Sequence, residues 1–128
     1  MGGYTITKMA DVPDALGDYP GEMHMLADDL QAEQVALTYR RMPQHTGGKG
    51  SYGHHHDHQE EIYFVISGKL QFKLDDEVVE VKGGTAVRVA SEVVRSIWND
   101  EPEDAELVIA STRGEDEAQL VDNFWPED

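Results

Sequence analysis

The sequence predicts a single all-β domain, a sandwich or barrel of seven or more short strands. Three observations predict it. Apolar residues recur at every second position along short runs, and turns rich in glycine, proline and aspartate separate those runs. A length of 128 residues with 39% hydrophobic content supplies one core and leaves no material for a second.

Residues 1–21 hold Pro13, Gly17, Pro20 and Gly21 among few apolar periods and read as an N-terminal arm with at most one short strand. The barrel or sandwich body is expected over residues 22–112. It opens with EMHMLA (22–27), and EQVALTYRRM (33–42) is a strand with Val35, Leu37, Tyr39 and Arg41 on one face. PQHTGGKGSYG reads as a long loop, because glycines at 47, 48, 50 and 53 do not favour regular structure. Beyond it Ile62, Phe64 and Ile66 alternate with Glu61, Tyr63, Val65 and Ser67. The parity that Tyr63 and Val65 share with Glu61 points both toward the interior. KLQFKLDDEVVEV then makes two strands around Asp75-Asp76-Glu77, and a Lys82-Gly83-Gly84 turn leads to TAVRVA, VVRSIWN, the acidic turn DEPED and AELVIAST. The tail, residues 113–128, is expected to carry one helical turn, with Phe124 and Trp125 docking on the body or on a partner subunit.

Ten lysines and arginines against 26 aspartates and glutamates leave a formal charge of -16. Such a field repels phosphate backbones and anionic lipid, so neither nucleic acid nor a membrane surface is expected as a partner. The acid excess suits a protein kept soluble in high salt, and ordinary colloidal solubility accounts for it equally well. Without cysteine there are no disulfides and no thiolate ligands, so any metal must accept nitrogen and oxygen donors. No run is long and apolar enough to span a bilayer, the start MGGYTITKMA lacks an apolar leader, and Ile6 stands where myristoylation wants serine or threonine. A cytoplasmic location is therefore expected.

Four of the six histidines lie within GSYGHHHDHQEE, an internal stretch broken by Asp57 and so unlike an appended tag. In an extended segment His54 and His56 project the same way from positions about 7 Å apart, and two imidazoles so placed can close on one ion at about 2.1 Å each. Glu61, after four intervening residues, brings a carboxylate to the head of the next strand. Two nitrogens and one oxygen compose a facial triad with open positions. His58 shares the parity of His54 and His56 and is a third nitrogen if the strand runs that far. His55 points the other way into solvent, and Glu60 is expected to be exposed. His24 and His45, standing singly, read as structural.

The order Gly48, His54, His56, Glu61, Gly68 resembles the first motif of the cupin superfamily, G-x5-H-x-H-x3-4-E-x6-G, with all five fixed positions met. The second motif, G-x5-P-x-G-x2-H-x3-N, falls on GTAVRVASEVVRSIWN, where Gly84 and Asn99 fit. Ala90, Glu92 and Arg95 depart from it, and Arg95 replaces the histidine that is normally the fourth metal ligand. The resemblance spans residues 33–112 and implies a double-stranded β-helix, or jelly-roll, barrel. It also implies a homodimer, a divalent metal (iron, manganese, zinc or nickel) and a small-molecule ligand or substrate with oxygenase- or isomerase-type chemistry, whether or not the protein is an enzyme.

Arg95 cannot simply replace the missing ligand. A guanidinium about 4 Å from a divalent ion at an effective dielectric of ~20 meets about 8 kcal/mol of repulsion. Three arrangements remain. In one, His54, His56 and Glu61 bind metal while Arg95 stands back to receive an anionic substrate. In another, His58 completes the shell. In the third no metal binds, Arg95 pairs with Glu61, and the chain is a non-catalytic ligand-binding or sensor module. Arg95 and Tyr63 are the candidate catalytic residues. The pair Arg40-Arg41 places one arginine on each face of its strand. Surface salt bridges are the first expectation for them in so acidic a chain, and an anion site shared with Arg95 is the alternative.

Overall fold

A computed structural model describes residues 3–113 and 118–127. Its strands are β1 (Glu22–Met25), β2 (Val35–Met42), β3 (Thr46–Gly47), β4 (Ser51–His55), β5 (Glu61–Ser67), β6 (Lys69–Leu74), β7 (Glu77–Lys82), β8 (Thr85–Val89), β9 (Arg95–Asn99), β10 (Ala105–Thr112) and β11 (Gln119–Trp125). One turn of helix, α1 (Ala27–Leu30), and a 3-10 turn at Met9–Asp11 accompany them. All strand pairs are antiparallel. One sheet runs β1-β2-β10-β5-β8 and the other β11-β4-β9-β6-β7, with β3 also paired to β9. The chain crosses between the sheets from β2 to β3, from β4 to β5, from β5 to β6, and again at each step from β7 to β11. That is the double-stranded β-helix, all-β as the sequence predicts.

The period-two pattern of β5 decides which side chains fill the barrel. Tyr63 and Val65 are buried, while Ile62, Phe64 and Ile66 face out. Leu107 joins from β10, and Leu70, Phe72, Val81 and Ile97 close the core from the opposite sheet. Tyr63 and Phe72 meet edge to face at 5.3 Å. Burying a side chain such as Phe72 stabilises the fold by about 1.5–3 kcal/mol.

Two turns set up the site. Gly68 bends β5 into β6 at φ +82°, and a Cβ there would lie 2.7 Å from the Asp104 carbonyl oxygen. Glycine alone meets both demands. At the β6–β7 hairpin the Asp75 N–H donates to the Val94 carbonyl at 2.8 Å, and its carboxylate accepts the Val94 N–H at 2.9 Å. This anchors the loop that delivers Arg95.

The structure departs from the sequence expectations in two places. The glycine-rich stretch is not one long loop, since it holds β3 and β4. A Cβ on Gly47 would lie 2.1 Å from the Ile97 carbonyl oxygen, so the glycine permits close pairing with β9. The tail forms β11 rather than a helical turn, pairing Gln119 with His55 and Leu120 with His54. The free edge of β4 supplies backbone partners that a local helix cannot match. Residues 114–117 of that tail lie outside the described residues. Trp125 is buried, and Phe124 packs under the Lys73 ammonium, 3.9 Å from the ring centroid. The arm is docked from residue 12, where Val12 is buried and Asp14 bridges to His24.

On β2 the face shared by Val35, Leu37, Tyr39 and Arg41 points outward. Arg41 pairs there with Glu22 at 2.8 Å and Asp104 at 2.9 Å, as expected of a surface arginine. Arg40 points the other way.

Candidate functional site

His54 lies near the end of β4, directly opposite Arg95 on β9. His56 falls just past the strand, where its N–H donates to the Ser91 carbonyl at 2.9 Å. Glu61 opens β5, held between Val89 and Ser111. These three elements bring one ligand atom from each of His54, His56 and Glu61 within 4.8 Å of one another. His54 Nε2 is 3.8 Å from Glu61 Oε1, and His56 Nε2 is 3.8 Å from Oε2. The imidazoles stand perpendicular, 5.1 Å apart.

Arg95 is wholly buried, and with His54 and Tyr63 it sets the state of Glu61. Its Nε donates to Oε1 at 3.1 Å, with Nη2 at 3.0 Å from the same oxygen. Nη1 donates to the carbonyls of Val93 at 2.7 Å and Ser91 at 3.2 Å. The Tyr63 hydroxyl adds a 2.7 Å hydrogen bond to Oε1. Burial alone would raise the Glu61 pKa, but His54, the Tyr63 hydroxyl and the Arg95 charge outweigh it and hold the carboxyl down at about 2. Burial and the neighbouring carboxylate push the Tyr63 phenol up. Glu61 is thus a carboxylate at neutral pH and Tyr63 a neutral donor.

The donor set suits a divalent first-row ion. It offers two imidazoles and an ionised carboxylate without thiolate, and bonds of about 2.1 Å require ligand atoms no more than about 4.2 Å apart. Each histidine meets that limit with a different oxygen of Glu61, and the three ligand atoms taken together lie within 4.8 Å of one another, so the two imidazoles close slightly further on an ion. Arg95 engages only Oε1, which leaves Oε2 turned toward His56.

A cavity of about 480 Å³ opens beside the cluster, with His54, Glu61, Tyr63 and Arg95 in its wall. Tyr19, from the arm, reaches the same wall, its hydroxyl accepting the Gly47 N–H at 2.9 Å. Arg40 lines it too, projecting inward from β2.

The sequence picked out His54, His56 and Glu61, and the fold brings them together. His58 is not among them: β4 ends at His55, so the parity argument lapses and His58 is exposed in the following loop. Glu60 is exposed and pairs with Arg88. His24 is structural, its Nδ1 donating to the Val12 carbonyl at 2.9 Å with Nε2 3.0 Å from Glu22. His45 is exposed and stacks on Trp98. Sequence reasoning missed Tyr19 and the Ser91 and Val93 carbonyls, and it ranked a surface salt bridge above the cavity position that Arg40 takes beside Arg95. Only the parity of Arg40 with buried Met42 could have signalled any of these.

Comparison with solved structures finds this barrel repeatedly. A cupin protein from Bacteroides fragilis superposes with a TM-score of 0.70 at 22% identity, over 90% of this chain and 88% of that one. A sugar phosphate isomerase from Silicibacter pomeroyi gives 0.71 at 13% identity, over 97% of each chain. A polyketide cyclase from Streptomyces resistomycificus gives 0.73 at 17% identity, over 97% of this chain and 88% of that one. At such identities the likeness is one of fold. No curated protein matches the sequence. The Cupin domain family model matches residues 41–111, more than half of the chain, and with the first-motif histidines and glutamate gathered at one point of a jelly-roll barrel, the chain belongs to the cupin family.

Proposed function

We propose that the protein binds a divalent metal through His54, His56 and Glu61 and acts on a small polar molecule held in the adjoining cavity. The convergence of the three ligand atoms carries this reading. When bound, such an ion supplies Lewis-acid or oxygen-activating chemistry, compatible with isomerase- or oxygenase-type reactions. The chain's own residues set the conditions. Arg95 and Tyr63 fix the Glu61 carboxylate through Oε1, and Tyr63 stays protonated beside the cavity as a hydrogen-bond donor. Arg95 is a positioning residue in this scheme: Nε donates to Glu61 and Nη1 to two carbonyls, while Nη2 lies 3.0 Å from Glu61 as an ion pair without a hydrogen bond of its own. With Glu61 balanced by Arg95, an added ion leaves the site with two uncompensated positive charges, which favours an anionic ligand.

A second reading has its own observation. The Arg95–Glu61 pair is formed already, as in a cupin that binds a ligand without metal. Elemental analysis of untagged protein, purified without chelator or nickel resin, separates the two. About one equivalent of iron, manganese, zinc or nickel is expected, lost in the His54→Ala/His56→Ala double variant. Protein that arrives metal-free and refuses added ions would support the ligand-binding module instead.

The same reading takes the protein as a homodimer. Val35, Leu37, Ile62, Phe64 and Ile66 expose an apolar outer sheet face, Phe64 at 40% and Val35 at 65%, and β10 joins their strands in register. Two copies of such a face cover each other about a two-fold axis. Sedimentation should give twice the chain mass, and Phe64→Glu should give the monomer; a monomeric parent would end the idea. Among the described residues no helix is long and apolar enough to cross a membrane.

A further inference from the structure

We propose that the cavity binds a small organic oxyanion, a carboxylate or phosphate attached to a compact carbon skeleton, and that Arg40 is the residue that grips its charged group. The chain has five arginines, and four have a carboxylate partner: Arg41 with Glu22 and Asp104, Arg88 with Glu60, Arg95 with Glu61 and Arg113 with Asp28. Arg40 has none among the described residues, and its Nε is sealed from solvent without a hydrogen-bond partner. In a chain with 26 acidic residues that isolation is informative.

The fold places Arg40 there. On β2 it shares the inward parity of buried Met42, and its neighbours in register are Met23 on β1 and buried Leu107 on β10. Its own cavity wall offers phenols, from Tyr19 and Tyr52, and the apolar side chains of Leu16, Met23, Ile97 and Ile109. A half-buried cation whose Nε is sealed from solvent without a counter-ion is costly to hold, and burial indeed depresses the Arg40 pKa. A ligand oxyanion removes that cost and finds a planar fork of donors suited to carboxylate and phosphate alike. The apolar wall takes the carbon skeleton, and the opposite end of the ligand faces His54 and Glu61.

This assignment deepens the metal-centre reading by naming the ligand class, yet Arg40 lies outside the metal cluster and is tested apart from it. Benzoate and inorganic phosphate serve as probes in calorimetric titration and thermal unfolding of the full chain. Wild type, Arg40→Met, Arg40→Lys and the surface control Arg41→Met are compared, each metal-stripped and metal-loaded. Benzoate should bind wild type and Arg41→Met, bind Arg40→Met about tenfold or more weakly, and bind Arg40→Lys in between. A response to phosphate alone would assign the ligand to the phosphate class. Wild type blind to both anions, or an anion response unchanged in Arg40→Met, would overturn the assignment. If Arg40→Met fails to fold, an undiminished response in Arg40→Lys overturns it. Binding through Arg40 in protein that takes up no metal would defeat only the metal centre, and metal uptake without anion binding would defeat only this inference.

Discussion

Two arginines line one cavity and meet opposite surroundings. Arg95, at the histidine end, is wholly buried and directs its donors to Glu61 and to the carbonyls of Ser91 and Val93. Arg40, on the facing sheet, has no acceptor among the described residues. The difference teaches what each charge is for. Arg95 completes the protein's own electrostatics by joining His54 and Tyr63 in holding Glu61 ionised in a buried place, so its contribution is present without ligand. Arg40 contributes only when something else supplies the negative charge.

The largest effect expected from breaking that comparison is at Arg95. Arg95→Met leaves a buried carboxylate without its counter-charge and strips a donor from two carbonyls, a change of the kind that costs about 3–5 kcal/mol. Urea unfolding followed through Trp98 and Trp125 should register that loss in full. Arg40→Met, measured the same way without ligand, should show no loss, because it removes an uncompensated charge. Equal destabilisation by the two substitutions would erase the distinction between a structural and a receptive arginine.

The same contrast shows what the sequence could and could not reveal. The cluster was legible because His54, His56 and Glu61 sit at motif spacings and their parities survive folding. The inward set of β5 was legible because strict alternation leaves Tyr63 and Val65 one way to point. On β2 the same rule misleads. The face with Val35, Leu37 and Tyr39 is the more apolar, so pattern alone would turn Arg40 to solvent, whereas the apolar face is the outer one. A strand's burial is set by which sheet face meets the core, and period two does not say which. The tail fails for another reason: β11 exists because β4 has an open edge, a partner absent from the local sequence. The extra structural features around Arg95 are backbone carbonyls, which every residue has and no pattern can single out.

A smaller effect sharpens the role of Arg95 through its partner. The Glu61 carboxyl is held at about 2 in the folded protein against an ordinary 4.5. A carboxylate with a depressed folded pKa gives stability that is complete above the unfolded value and disappears as pH falls through the folded one. Glu61→Gln has no such term at any pH, so the stability gap between wild type and Glu61→Gln should be constant above pH 4.5 and shrink steadily toward about pH 2. Comparing the pair cancels the titration of the other acidic residues. The effect is smaller than that of Arg95→Met because Arg95 stays in place with its carbonyl partners, and a neutral glutamine or glutamic acid can still accept from it. Denaturant unfolding of both proteins across that range is the check. A gap that holds its full size down to pH 2 would mean that the carboxylate charge stabilises nothing, and the Arg95–Glu61 contact would then be a hydrogen bond that any acceptor could make.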